Sequence, residues 1–318
     1  MKQIWCLSIV SFVVVLFLSN AAVSQTEEKL KIIDVHTHGF TYSDWKEAGV
    51  VGVVAMPGVD DVIKPYNEKY DKDTRVITCL GLEYSGENNI INLTKFRSDL
   101  ATRRYGCIKI FLGYIELYAY DPKYEKVYKL AQEYDLPVVF HTGDTQSKTA
   151  KLKYADPLTI DQVAVDYPKV AFVIAHCGNP WYQTAAELAY KNKNVFLECS
   201  ALLTGDVGKR NPKIKGQTDE EREEQVRLLM VEPIKWVFNY IEDPREIMFG
   251  SDFGKGIISD IDSYIRAYKK AIPLRHHKAV FSDNAACVYK FNMRFPADFG
   301  QVKCDEFWYS AENPLRER

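Results

Sequence analysis

Short runs of β-branched and aromatic residues alternate along this chain with longer segments in which apolar residues recur at helical spacing. Such alternation is typical of parallel strands joined by crossover helices. Eight runs follow residue 30: Ile32 to His38, Val50 to Met56, Arg75 to Leu82, Cys107 to Leu112, Pro137 to His141, Ala171 to His176, Val195 to Ser200, and Ile247 to Asp252. We therefore predict an α/β fold whose strands close into a (β/α)8 TIM barrel.

Two helices are predicted to begin at Asp-Pro pairs. Asp121-Pro122 and Asp156-Pro157 each place a capping side chain before a proline at the first helical position. Apolar residues then recur at helical spacing, up to Tyr134 after the first pair and up to Tyr167 after the second. Helices at these places would cover the outside of the barrel.

The barrel is predicted to occupy residues 28–290 as a single domain, because this span is close to the ~250 residues typical of the fold. Residues 291–318 would form a tail packed on the barrel or in a contact between copies of a homo-oligomer. The polar insertion from Asp206 to Glu224 follows the seventh run, so we expect it at the active-site end, as a lid or a solvated excursion.

Residues 1–24 have the layout of a secretory signal peptide: Lys2, an apolar stretch from Ile4 to Leu18, then Ala21 and Ala22 before polar residues. An uncleaved membrane anchor is the alternative, but the stretch is shorter than the ~20 residues of a spanning helix. We therefore predict an exported protein, periplasmic or extracellular.

Composition narrows the choice of partners and of cysteine chemistry. The 41 basic and 43 acidic residues give a net charge of -2, which argues against nucleic-acid binding. Beyond the leader, the cysteines show no C-x-x-C pair, and spacing does not settle any disulfide pairing. An exported protein could oxidise some of them. Most lie in or beside predicted strands, however, where small buried thiols are the expectation.

The segment Asp34-Val35-His36-Thr37-His38 is the sharpest chemical signal. Alternation along a strand places Asp34, His36 and His38 on one face, which we expect to be the barrel interior. Two imidazoles on one rigid strand can reach the same metal ion, with Asp34 orienting a ligand from one layer deeper. Alone, the pair would also suit two hydrogen-bonded core histidines.

Other strand ends carry similar residues. His141 ends the fifth run, His176 the sixth and Asp252 the eighth, and each is followed within two residues by glycine. Active sites of these barrels lie at the carboxyl ends of the strands. Together with the histidines of the first strand, these side chains would form a ring around one site.

The chain resembles the amidohydrolase superfamily, and within it the amidohydrolase-related (amidohydrolase 2) group of metal-dependent TIM-barrel hydrolases, which includes decarboxylases, lactonases and hydratases. The resemblance extends from the first strand to Asn284-Ala285. Its motifs are D-V-H-T-H, H-T-G after strand five, A-H-C-G after strand six, L-E-C-S at strand seven and F-G-S-D at strand eight.

The resemblance implies that His36, His38, His141 and Asp252 bind one divalent metal ion, with zinc favoured. Asp252 and His176 would be the catalytic residues, Asp252 taking a proton from a metal-activated water. Lys109 on the fourth strand leaves an alternative open, because a carbamylated lysine there bridges two metal ions in some branches of the superfamily.

Lys109, Glu83, Tyr114, Trp181 and Lys255 are the candidate contacts to a small-molecule substrate, and the two lysines would suit a carboxylated one. The favoured function is hydrolysis of an amide, lactone or ester-like bond. A metal-dependent lyase, decarboxylating or hydrating an unsaturated carboxylic acid, is the first alternative. A secreted, non-catalytic binding barrel is the second.

Overall fold

The structure is a computed structural model that describes residues 30–38, 48–58, 75–86, 88–204, 217–254 and 260–304. Its strands are β1 (Ile32–His38), β2 (Val50–Ala55), β3 (Arg75–Gly81), β4 (Tyr84–Ser85), β5 (Ile90–Ile91), β6 (Cys107–Phe111), β7 (Val138–His141), β8 (Phe172–Ile174), β9 (Val195–Glu198), β10 (Ile247–Met248) and β11 (Phe253–Gly254). The predicted signal peptide lies outside the described residues.

Nine of these strands form one sheet in the order β10-β9-β8-β7-β6-β3-β2-β1-β11, with every neighbouring pair parallel. The other two, β4 and β5, form a small antiparallel pair. Each of the eight predicted runs contains strand, and the parallel α/β arrangement is confirmed. The carboxyl ends of these strands therefore meet at one edge of the sheet.

The eighth run is not the continuous strand that the sequence predicts. β10 pairs with β9, and β11 pairs with β1. Between them the Val35 N–H donates to the Phe249 carbonyl at 3.0 Å, and the Asp252 N–H donates to the His36 carbonyl at 2.9 Å. Asp252 has φ 64, a left-handed conformation that turns the chain out of the extended path. That turn brings the Asp252 carboxylate to β1.

The α-helices lie between and after the strands. They are α1 (Leu93–Ala101), α2 (Glu125–Tyr134), α3 (Ile160–Asp166), α4 (Tyr182–Lys191), α5 (Asp219–Val226), α6 (Glu232–Ile241), α7 (Ile261–Ala271), α8 (Asn284–Val288), α9 (Phe291–Arg294) and α10 (Pro296–Phe299). Short 3-10 turns occupy Pro122–Tyr124, Leu152–Tyr154, Pro157–Thr159, Ala175–Gly178, Pro244–Glu246 and Leu274–His276, and π-helical turns occupy Arg227–Val231 and Ala279–Asp283. No helix in the described ranges combines the length and apolar character that a membrane span needs.

Both predicted helix starts are confirmed. The Asp121 carboxylate accepts from the Lys123 N–H at 3.0 Å, and the Asp156 carboxylate accepts from the Leu158 N–H at 2.9 Å. In each case proline follows at once and a 3-10 turn leads into the α-helix.

Alternation along β9 and the two residues that follow it separates the core from the site. Val195, Leu197 and Cys199 pack with helix residues in the larger apolar cluster. Glu198 and Ser200 have the opposite parity and are fully buried among polar groups. One face of this segment therefore packs against the helices, and the other face carries the polar side chains of the candidate site.

The insertion after the seventh run is described only from residue 217, and it is helical from Asp219. In the tail, Phe291 and Phe299 are buried in a cluster with Ile33 and Val35 of β1. Residues 305–318 lie outside the described part of the chain, and a contact between copies stays a prediction.

The expectation of buried thiols is wrong, because all six cysteines of the described chain are paired. The disulfides are Cys79–Cys107, Cys177–Cys199 and Cys287–Cys304. Cys79 and Cys107 are register partners on β3 and β6, with their Cα atoms 4.3 Å apart. Which cysteines lie close enough to form a disulfide depends on how the strands pair, and spacing along the chain does not show this.

Candidate active site

Three side chains with atoms that could bind a metal ion meet where β1 ends. The period of the strand puts His36 and His38 on one face, and the turn at Asp252 brings its carboxylate against both. Asp252 Oδ1 lies 3.3 Å from His36 Nε2 and 3.3 Å from His38 Nε2. The three residues form a group whose ligand atoms all lie within 4.8 Å of one another.

Asp34 supports this group of residues through three hydrogen bonds. Its carboxylate accepts from the His36 N–H at 3.1 Å, from the Ser251 N–H at 3.0 Å and from the Ser251 hydroxyl at 2.5 Å. Burial raises the Asp34 pKa to about 7, although these hydrogen bonds oppose the shift. Asp34 therefore holds the backbones of His36 and Ser251 together, and so acts on Asp252 through its neighbour.

Glu198 orients His36, and sequence reasoning did not assign it a role. Its Oε1 accepts from His36 Nδ1 at 2.6 Å, and its Oε2 accepts from the Ser200 N–H at 2.8 Å. With the proton on Nδ1, the lone pair of His36 Nε2 points toward Asp252. The available signal was a carboxylate of interior parity at the end of the seventh run.

A chain of hydrogen bonds joins the other polar residues. His141 Nε2 donates to the Asp144 carbonyl at 2.9 Å, so its Nδ1 accepts. His176 Nε2 then donates to His141 Nδ1 at 3.1 Å, and His176 Nδ1 accepts from the Ser200 hydroxyl at 2.8 Å. One assignment of tautomers thus satisfies both rings.

The four histidines are held neutral. Burial lowers the pKa of His38 to about 4 and of His141 to about 3, and Lys109 adds to both shifts. Burial likewise places the pKa values of His36 and His176 well below the ordinary range. Neutral imidazole is the form that binds a metal ion, so the site presents lone pairs rather than charge.

Lys109 is the buried cation of the site. Its side chain is 1% exposed, and its Nζ lies 5.2 Å from the centre of the Phe111 ring. Burial lowers the Lys109 pKa to about 8, against the opposing pull of Glu198 and Asp252. Burial raises the pKa values of these two carboxyl groups, and the Lys109 charge lowers them.

The residues fit a divalent cation. Among the residues that the structure describes, buried His36 Nε2, Asp252 Oδ1 and Lys109 Nζ have no hydrogen-bond partner. An unpaired buried polar atom costs roughly 1–3 kcal/mol, so such atoms side by side indicate a ligand. Two imidazole nitrogens and a carboxylate oxygen are a donor set suited to zinc and related ions.

The candidate substrate contacts are dispersed. The Tyr114 ring packs edge-on against His141 with centroids 4.9 Å apart, so it borders the site. Glu83 instead forms an ion pair with Lys95 at 2.9 Å, on a helix outside the sheet. Trp181 is the N-cap residue of α4, and its backbone N–H donates to the Gly178 carbonyl at 2.6 Å. Lys255 lies outside the described residues.

The fold is similar to solved structures that cover 82% of this chain and 99% of their own. One is an uncharacterised TIM-barrel protein from Bordetella bronchiseptica, with TM-score 0.55 and 14% identity. The others are a probable 2-pyrone-4,6-dicarboxylic acid hydrolase from Acinetobacter baumannii with citric acid bound (0.52, 14%) and a 5-carboxyvanillate decarboxylase from Sphingomonas paucimobilis (0.54, 11%). At these identities the likeness shows the fold alone.

Sequence comparison identifies the family. No curated protein matches the chain. The family model described as Amidohydrolase matches residues 95–291, which carry His141, His176, Glu198 and Asp252. This chain therefore belongs to the amidohydrolase family of metal-dependent enzymes.

Proposed function

We propose that this enzyme hydrolyses an amide, lactone or ester-like bond of a small carboxylated substrate at the cluster of His36, His38 and Asp252. One observation carries the proposal: two imidazole nitrogens and a carboxylate oxygen converge in a buried position beside a buried, unpaired lysine. A cation would satisfy the nitrogen and oxygen atoms of the cluster, and an anionic substrate group would satisfy the lysine ammonium.

The proposal includes a closed eight-stranded barrel. The segment from Ile247 to Gly254 pairs with β9 at its start and with β1 at its end. The hydrogen bond from Val35 to Phe249 lies between these two pairings and supports closure. A closed barrel would gather all the strand ends around one site.

His36 Nε2, His38 Nε2 and Asp252 Oδ1 would hold the metal ion, for which zinc is the first choice. His141 would complete the set through Nδ1. The Asp144 carbonyl accepts from His141 Nε2 and so keeps the proton there, which leaves a lone pair on Nδ1. This atom would have to give up its hydrogen bond from His176. When bound, a divalent metal polarises a carbonyl oxygen and acidifies water.

The side chains supply the remaining chemistry. Asp252 turns its Oδ1 into the cluster and is positioned to accept a proton from water. His176 carries its N–H on Nε2 and is positioned to donate a hydrogen bond or a proton as the leaving group departs. Lys109 would bind the substrate carboxylate in a site of low dielectric constant, where the attraction is strong.

A metal-dependent lyase is the second candidate. The buried Lys109 ammonium would hold a carboxylate equally well before decarboxylation or hydration, and one protein of similar fold is a decarboxylase. Product analysis on a panel of lactones, amides and unsaturated carboxylic acids separates the two reactions. Hydrolysis products support the proposal, whereas release of carbon dioxide or addition of water to a double bond favours the lyase.

Metal content tests the site directly. Elemental analysis of the purified full chain should find about one zinc or similar ion, lost in His36→Ala and kept in Lys109→Ala. About two ions, with one lost on removal of Lys109, would favour the binuclear site with carbamylated Lys109. No metal in any preparation would overturn the proposal.

We also propose that the enzyme works outside the cytoplasm, in a periplasm or the extracellular space. The three disulfides support this location, because such bonds persist mainly in oxidising compartments. Removal of residues 1–24 from the secreted protein, measured by N-terminal sequencing, tests it. A full-length chain confined to the cytoplasm would contradict it.

A further inference from the structure

The Cys177–Cys199 disulfide connects the two segments that carry the hydrogen-bonded part of the site. Cys177 directly follows His176, and Cys199 lies between Glu198 and Ser200. The parallel pairing of β8 with β9 ends at Ile174 and Leu197, before any of these residues. Beyond that point the disulfide is a covalent connection between the two strand ends.

This disulfide lies behind the site rather than in it. Both cysteines are fully buried, and both pack in the apolar cluster shared with the helices. Glu198 and Ser200, on either side of Cys199, face the other way and contact His176. The sulfur atoms therefore affect the site through the position of their neighbours.

The turn that follows β8 needs such support. His176, Cys177 and Gly178 have φ values of 60, 47 and 66, three successive residues in the left-handed region. Two of them carry a side chain, for which this conformation is unfavourable. The polar contacts to β9 here are His176 N–H to Glu198 Oε1 at 3.3 Å and Ser200 hydroxyl to His176 Nδ1 at 2.8 Å.

We infer that Cys177 and Cys199 are a positioning pair: their disulfide holds the left-handed turn so that the His176 ring stays between Ser200 and His141. The inference rests on the proposed function only in treating His176 as part of the working site. Without the disulfide, the turn relaxes and the imidazole leaves its two hydrogen-bond partners for part of the time.

The test compares two alanine double variants of the full chain. Cys177→Ala with Cys199→Ala removes the disulfide behind His176. Cys287→Ala with Cys304→Ala, the tail variant, removes the disulfide that joins α8 to the tail. Their cysteines are 22 and 17 residues apart, so the two bonds restrict the unfolded chain to a similar degree. Alanine at 177 keeps the same cost of positive φ as cysteine, so the strain of the turn is unchanged.

The first measurement is the rate at which diethyl pyrocarbonate modifies each histidine, followed by peptide mass spectrometry. His277 is the internal control, since it is 8% exposed, close to the 7% of His176, and its Nε2 donates to the Ile272 carbonyl. In the Cys177/Cys199 variant, His176 should react about tenfold faster or more while His277 stays unchanged, as local opening requires. In the tail variant both rates should match the wild type.

The second measurement is the long-range proton–nitrogen NMR spectrum of the histidine rings. The wild type and the tail variant should show His176 protonated on Nε2 and hydrogen-bonded at Nδ1, and Ser200→Ala identifies the signal of the lost Nδ1 bond. The Cys177/Cys199 variant should shift toward the Ser200→Ala spectrum. An unchanged His176 in both measurements, or equal acceleration of His176 and His277, would overturn the inference.

Neither measurement needs substrate or bound metal. If no substrate is hydrolysed but His176 loosens selectively, the positioning role stands and the proposed function fails. If hydrolysis is found but His176 does not respond, the proposed function stands and the disulfide is only structural.

Discussion

Two sides of the site differ in how their polar atoms are satisfied. At the end of β1, His36 Nε2 and Asp252 Oδ1 are buried and have no hydrogen-bond partner among the described residues, although the two atoms are only 3.3 Å apart. At the ends of β7 to β9, both ring nitrogens of His141 and of His176 are hydrogen-bonded. The first side is open to a ligand, and the second is already complete.

This difference is the basis on which we distinguish residues proposed to bind the metal ion from residues proposed to position the rings. Leaving buried polar atoms unpaired is costly, so a fold retains them where a ligand supplies the missing partner. A complete set of hydrogen bonds instead fixes tautomers and ring orientation before any ligand arrives. We expect substitutions on the open side to abolish metal binding and those on the complete side to weaken it.

The largest effect should come from His36→Ala. This change removes a nitrogen donor from the open side, so bound metal should be lost and turnover should fall about a thousandfold or more. Elemental analysis and activity on the substrate identified by the panel measure both. His276→Ala is the matched control, and metal retention at the wild-type level in His36→Ala would show that the open side is not the metal site.

Glu198→Gln should have the next largest effect. It keeps the size of the side chain but removes the charge that holds the proton on His36 Nδ1, and such partners change metal affinity about 10- to 100-fold. Competition with a chelator measures the dissociation constant. Glu246→Gln is the control, because it removes a buried carboxylate that lies directly before β10, and it should leave the affinity unchanged.

His141→Ala should weaken metal binding by about tenfold, less than His36→Ala, because His141 Nδ1 must first give up its hydrogen bond from His176. The same chelator competition measures it. A loss as complete as that of His36→Ala would remove the distinction between the two sides.

The last prediction concerns a buried carboxyl group away from the metal-ligand cluster, so no effect on the site is expected: it compares the pH dependence of stability in the wild type and in Glu246→Gln. Burial raises the Glu246 pKa from 4.5 to about 7 despite its ion pair with Lys193 at 3.1 Å. Because the folded state binds the proton more tightly, Glu246 stabilises the fold below its unfolded pKa and loses this contribution as pH rises through about 7. The wild type should therefore lose about 3 kcal/mol relative to Glu246→Gln between pH 4 and pH 8.

Urea unfolding of both proteins across this pH range measures the difference in the free energy of unfolding. A constant difference would mean that Glu246 keeps an ordinary pKa and that its ion pair with Lys193 offsets its burial.

Much of the architecture was predictable from local pattern. Hydrophobic periodicity located eight of the nine strands of the main sheet, all except β11. Asp121 and Asp156 marked two helix starts, because these signals depend on residues a few positions apart. The spacing of His36 and His38 likewise placed them on one face of β1. The prediction of one continuous eighth strand was wrong, since β10 ends at Met248 and the chain turns at the left-handed Asp252 before β11 begins.

The sequence by itself determined the α/β class and the strand ends that carry chemistry. Only the tertiary structure decided which of these groups are partners. Glu198 reaches His36 across 162 positions of sequence, and Asp34 reaches Ser251 across 217. The disulfide behind His176 likewise depends on the tertiary structure. Strand order and register bring its two cysteines into contact, and neither can be read from local spacing along the chain.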